Sequence, residues 1–361
     1  MRFGLLFTAA AVLASATANA ADTPDIKSAR DKGIAFLKTT QTENGGWSAS
    51  QTTGITGLVT HALISSGVPT DDPAVAKGLD FLVKTIQPDG SLASKSGRIS
   101  AYETSIAILA LTAANKDHKY DDAIQNGVKF LRTVQFNEAK GTPDTDANFG
   151  GAGYSAGRSR PDLSNTHFFL EAFEAAGVSS NDPAVQASLK FLSRCQNLAG
   201  PNNTSPEAEK VNDGGFQYTP VGAGGGGGAG PEGGLRSYGS MTYAGFKSML
   251  YAGLTQDDPR VKAALSWIRK NYTVKENPGM GANGVFFYYY LFGRSLNAAK
   301  IETLEDEQGG KHNWKQELAA HLISLQSANG SWTNRDSDRW QEGDPNLVTA
   351  YALYALSQCA K

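Results

Sequence analysis

Apolar residues recur along the chain in two kinds of segment that alternate. The first kind is apolar on one face and polar on the other. Lys32-Gly33-Ile-Ala-Phe36-Leu37-Lys-Thr-Thr-Gln41 returns as Lys77-Gly78-Leu-Asp-Phe81-Leu82, with Gln87 one residue late. It returns again as Asn126-Gly127-Val-Lys-Phe130-Leu131 ahead of Gln135, and as Ser188-Leu-Lys-Phe191-Leu192 ahead of Gln196. Weaker copies cover 264–268 and 318–326. Helical spacing of the apolar positions predicts six half-exposed amphipathic helices. Asp72-Pro73, Asp182-Pro183 and Asp258-Pro259 open three of them, an N-cap followed by a proline whose fixed φ suits the first turn. The second kind is apolar nearly all round, as in Ile106-Ala-Ile-Leu-Ala-Leu111, and predicts enclosed helices over 53–67, 101–114, 162–177, 238–253, 284–298 and 346–359.

Strict alternation of exposed and enclosed helices predicts an all-α fold, an (α/α)6 barrel or toroid of six outer-inner helix pairs. The repeats run over about 26–67, 71–114, 120–177, 181–253, 257–298 and 313–359, one domain spanning 21–361. An open solenoid is the alternative, but its end helices need polar caps that the sequence does not supply. Links from an enclosed to an exposed helix are short, whereas links the other way run long, at 136–161, 197–237 and 327–345. Insertions gathered on one face of a repeat array mark a binding face. Function is therefore expected at the rim where the enclosed helices begin. The glycine-rich tract 222–230 reads as a loop, since no Lys-Ser/Thr follows it as a phosphate-binding loop requires.

Composition narrows the function classes. Across 361 residues, 33 Lys+Arg stand against 35 Asp+Glu, which gives no electrostatic reason to expect nucleic acid. Two cysteines make neither a disulfide framework nor a cysteine-rich zinc site. Cys195 closes an outer helix and Cys359 an inner one, at opposite ends, so both are expected free. Met1-Arg2, an apolar run to Ala14 and the small-x-small triplet Ala18-Asn19-Ala20 read as a cleaved signal peptide over 1–20. The expectation is an exported protein, periplasmic or extracellular, with no membrane span.

The Lys32-Gly33-x-x-Phe36-Leu37-x3-Gln41-x3-Gly45-x-Trp47 repeat resembles the QW motif of squalene-hopene cyclases. Gln326-Ser-Ala-Asn-Gly330-Ser-Trp332 is a second clear copy. In these repeats Gln is expected to bond free amides of the next helix while Trp packs over the turn. The resemblance covers nearly all of the mature chain and implies the α/α toroid of the terpenoid cyclase and protein prenyltransferase superfamily. It implies less about chemistry. Class II cyclases open an inner helix with Asp-x-Asp-Asp-Thr, whose middle Asp protonates an alkene or epoxide. Asp162-Leu-Ser164-Asn165-Thr166 stands in that place with Ser164 at the donor, too weak an acid for the task. Asp144 and Asp146 have the right spacing but lie in a linker. Prenyltransferases hold zinc with Asp, Cys and His, and Val348 occupies the corresponding His position. No metal or cofactor is expected.

The candidate catalytic residues are therefore Asp162, Ser164, Asn165 and Glu103, the last opening another enclosed helix. Candidates for ligand binding at the rim are Arg158, Arg160, His167, Arg236, Tyr238, Tyr243 and Trp340. His61 and His321, in mid-helix, read as structural. Polar groups above an aromatic lumen suit a ligand with an apolar body and a polar or anionic end. Three functions fit: a toroid binding an isoprenoid or other amphiphile, a secreted uronate-polysaccharide lyase using the arginines, or a non-catalytic envelope interaction protein.

Overall fold

The computed structural model describes residues 25–48, 52–157, 159–203, 205–222, 228–230 and 233–360. The proposed signal segment lies outside them. Six outer helices alternate with six inner ones. The outer set is α1 (Ile26–Thr40), α3 (Pro73–Val83), α5 (Asp121–Val134), α7 (Pro183–Cys195), α10 (Pro259–Lys270) and α12 (Trp314–Leu325). The inner set is α2 (Thr53–Ser65), α4 (Ser100–Ala114), α6 (Leu163–Ala175), α9 (Gly239–Tyr251), α11 (Val285–Ala298) and α13 (Pro345–Cys359). Each inner helix packs on the next, and α13 packs back on α2. The ring is closed, an (α/α)6 toroid rather than an open solenoid. Two additions went unread in the sequence: a short helix α8 (Pro206–Val211) and a two-residue hairpin, β1 (Leu304–Glu305) with antiparallel β2 (Lys311–His312).

The recurring glutamine joins four of the six outer helices to the next. Gln41 donates through Nε2 to the carbonyls of Gly45 and Ala74, both at 2.9 Å. Gln135 reaches Ala184 (2.7 Å), Gln196 reaches Arg260 (2.8 Å), and Gln326 reaches Ala29 (2.9 Å), which ties the last outer helix to the first. The expected bond to free amides is not made. Those amides are already capped by Asp72, Asp182 and Asp258, so the glutamine finds carbonyl oxygens instead. Trp47 and Trp332 are fully buried, and each donates its indole N–H to a carbonyl of the preceding outer helix at 2.7 Å.

Inner helices are fastened to these turns by a recurring threonine. Thr56, Thr104, Thr166, Thr242 and Thr349 each accept a backbone N–H from the adjacent turn at 3.0 Å. The turns themselves need glycine. Gly150 has φ +85°, and a Cβ there would lie 1.8 Å from the Ala187 carbonyl oxygen in the next outer helix. Cys195 and Cys359 are both buried and unbridged. Among the described residues, no helix is long and apolar enough to cross a membrane.

Candidate functional site

All six inner helices begin at one rim, and each arrives there with unpaired backbone amides. Asp162 caps α6 through the Asn165 amide (2.8 Å), and Asp344 caps α13 through that of Asn346 (2.8 Å). Thr52 caps α2 through the Gly54 amide (3.1 Å), and further bonds at these starts come from other segments. Glu103 of α4 reaches across to the Thr53 amide (2.9 Å) and the Thr52 hydroxyl (2.7 Å) at the start of α2. Asn277 accepts from the Ser240 amide of α9 at 2.9 Å. Helix α11 begins after Gly284, which has no side chain to offer. Glu342, from the last long linker, takes its Phe287 amide at 2.8 Å and is held from the other side by Asn334 at 2.7 Å.

These helix starts surround a cavity of about 310 Å³. Its wall is aromatic and aliphatic, with Tyr102, Phe168, Phe287 and Tyr351 in contact beside Ile55, Ile99, Met241 and Leu347. Ring centroids along that wall are 5.3 Å (Tyr102–Phe168), 5.9 Å (Phe168–Phe287) and 5.8 Å (Phe287–Tyr351) apart. Polar groups are few: Thr52, Ser164, Ser240, Gln341, Glu342 and the tyrosine phenols, among them those of Tyr154, Tyr218 and Tyr238. At the lip stands Trp340, 43% exposed and in the left-handed region at φ 56°, a conformation that costs energy in a non-glycine residue. Its ring lies against Gly284, where any Cβ would meet it at 3.0 Å, and Arg339 stacks on it with 4.5 Å to the centroid.

Asp162, Glu342 and Glu171 are buried carboxyls of two kinds. Burial pushes both Asp162 and Glu342 up to about 7, and neither has a cationic partner among the described residues. Glu171, deeper in the barrel, is the other kind. Burial works to raise it too, but Arg294 and Lys247 outweigh that and hold it down at about 2. Lys247 approaches it at 2.8 Å, and Arg294 pairs with its other oxygen. His167 completes this cluster, 3.5 Å from Glu171 and bonded to Ser248 at 3.0 Å, and burial lowers it to about 4.

Of the residues singled out from the sequence, Ser164, Tyr238 and Trp340 line the cavity. Asp162 and Asn165 sit beside it, joined side chain to side chain at 2.7 Å. Glu103 is committed to capping and to the Ser94 amide (3.0 Å), away from the wall. His167 and Tyr243 are corrected from rim to interior: the first belongs to the Glu171 cluster, and the second packs against Phe292 at 5.0 Å. Arg160 donates to the Val221 carbonyl (3.1 Å) and Arg236 to that of Gly279 (3.1 Å), so both brace linkers. Arg158 lies outside the described residues. No described lining residue is Lys or Arg, which removes the support for an anionic ligand end. His61 stacks on Tyr354 and His321 bonds the Tyr289 hydroxyl, both inside the packing. Glu342 and Tyr102 were missed. A helix opening at Gly284 without a capping residue was the one available signal that a cap comes from elsewhere.

Residues 49–218 match the squalene-hopene cyclase C-terminal domain family. No curated protein shows significant sequence similarity to the chain. Among solved structures, the chain resembles the type II terpene cyclase MstE from Scytonema in complex with merosterolic acid A, its product (TM-score 0.56, 13% identity, 93% of this chain and 97% of that one). The same enzyme in complex with geranylgeranyl dihydroxybenzoate, its substrate, gives a TM-score of 0.54 at 13% identity, over 93% of this chain and 96% of that one. Candida albicans protein geranylgeranyltransferase-I complexed with GGPP gives 0.56 at 14% identity, over 91% and 90%. The sequence match covers 49–218, and the likeness to these solved structures is one of fold, the toroid that the repeats imply.

Proposed function

We propose that the rim cavity binds an isoprenoid, or a similar small molecule with a long apolar body and one polar end. The observation that carries this reading is the aromatic wall of Tyr102, Phe168, Phe287 and Tyr351, enclosing about 310 Å³ where the inner helices start. A concave, mostly apolar site with a few converging polar groups is the usual form of a small-molecule pocket, and this volume lies in that range. The similar structures are complexes with isoprenoid compounds, geranylgeranyl dihydroxybenzoate as a substrate and GGPP. Ser164 occupies the place of the protonating Asp of class II cyclases, so the reading is one of binding. Export through residues 1–20 is part of it and would put the ligand in the periplasm or outside the cell.

Trp340 at the lip gives the test. Titration with farnesol is expected to change the tryptophan emission saturably, and Trp340→Phe to abolish most of that change while leaving the fold intact. Emission that does not change, or that drifts without saturating, would count against a built site.

A further inference from the structure

The charge of the ligand's polar end follows from what surrounds Glu342. This side chain is 1% exposed yet lines the cavity, and only neutral groups face it: the Phe287 amide, the Asn334 amide and the phenols of Tyr289 and Tyr351. Asp162 repeats the pattern, with Asn165 and the Tyr218 phenol as its neighbours. The chain does pair a buried carboxylate with cations where the interior requires it, as Glu171 with Lys247 and Arg294 shows. Among the described lining residues it supplies none, and Arg339 stands outside them, stacked on Trp340. An ionised carboxyl taken out of water without a partner costs several kcal/mol, so a cation entering this space gains what the protein has left unpaired. The walls add to this, because aromatic faces carry negative potential and attract cations. Arg339 already uses one face of Trp340 in this way.

We propose that the cavity takes a monocationic amphiphile, an amine or quaternary ammonium carried on an isoprenoid body, with Glu342 as its counter-ion. The inference rests on the reading that the cavity binds an isoprenoid body, and adds the charge of the end group. A diphosphate or carboxylate end meets no cationic side chain among the described lining residues, and Glu342 opposes its charge.

The test compares farnesyl-trimethylammonium, farnesol and farnesyl diphosphate by calorimetry at about pH 8, where Glu342 is ionised. The ammonium is expected to bind the wild-type chain at least about tenfold more tightly than the alcohol, with the diphosphate weakest. In Glu342→Gln that ratio is expected to fall to near one, and in Glu342→Asp to persist. An alcohol that binds the wild type as well as the ammonium overturns the charge assignment and leaves isoprenoid binding standing. A preference that survives Glu342→Gln overturns the counter-ion. Failure of all three to bind the wild type overturns the reading beneath. The wild-type ratio decides the charge preference even if the glutamine variant does not fold.

Discussion

A carboxyl at the start of an enclosed helix is pulled two ways. Helix amides favour its charged form, and burial opposes it. At Asp162 burial prevails: the group accepts the Asn165 amide at 2.8 Å and still rises to about 7. Its native pKa lies above its ordinary value, so the folded state holds a proton that the unfolded state has lost. Its contribution to stability is therefore full below about pH 4 and declines as pH rises toward 7, by roughly 1.4 kcal/mol per pH unit. Asp162→Asn keeps the cap without the titration. Urea unfolding from pH 4 to 7 is expected to show the variant gaining on the wild type across that window, and a pH-independent difference would contradict it. At this scale the sequence was legible where a residue acts on its own helix. Asp162 and Asp344 announce themselves by standing directly before apolar runs. Glu342 does not, because the helix it caps begins at 285 and only the closed ring brings the two together. The arginines misled for a related reason. Charge near a rim says nothing of which carbonyls will consume it, and Arg160 and Arg236 are spent on Val221 and Gly279.

Between elements, four junctions of the outer ring are tied by a single side-chain amide. Gln326 satisfies the carbonyls of Gly330 and Ala29 and so joins α12 to α1. The one-residue lag of Gln87, visible in the sequence, has a structural counterpart. Its bonds go to Thr85 and Ala93, within its own turn, and reach no following helix. Truncation of Gln326 removes both of its bonds from a partly buried junction, at about 1–3 kcal/mol. Gln326→Ala is accordingly expected to lower stability by about that amount in chemical denaturation, and Gln87→Ala by clearly less. Equal effects would show that the amide does not act as the link between repeats. Helix pairs, proline-led starts and turn glycines were all readable here, since each leaves a period or a local residue preference. The direction of the glutamine bonds was not, because the repeat shows that Gln recurs and not which backbone groups its neighbours have already satisfied. The hairpin at 304–312 escaped notice because two-residue strands carry no alternation to detect.

Taken whole, the toroid is divided along its axis. Above lies the aromatic cavity with Glu342 in its lining and Asp162 beside it, and below lies the cluster of Glu171, Lys247, Arg294 and His167 that fills the lumen between α6, α9 and α11. Phe168 and Tyr290 stand at the boundary: Phe168 lines the cavity next to His167, and the Tyr290 hydroxyl accepts from Arg294 at 2.5 Å. An apolar ligand therefore has an aromatic floor beneath it and an open lip at Trp340. Photo-crosslinking with a benzophenone-bearing farnesyl probe, followed by peptide mapping, tests this arrangement most directly. Saturable labelling is expected on the segments that carry Tyr102, Tyr154 and 340–351, and is expected to be competed away by unlabelled farnesyl ligand. Labelling that does not saturate, or that falls on the outer helices instead, would contradict the account.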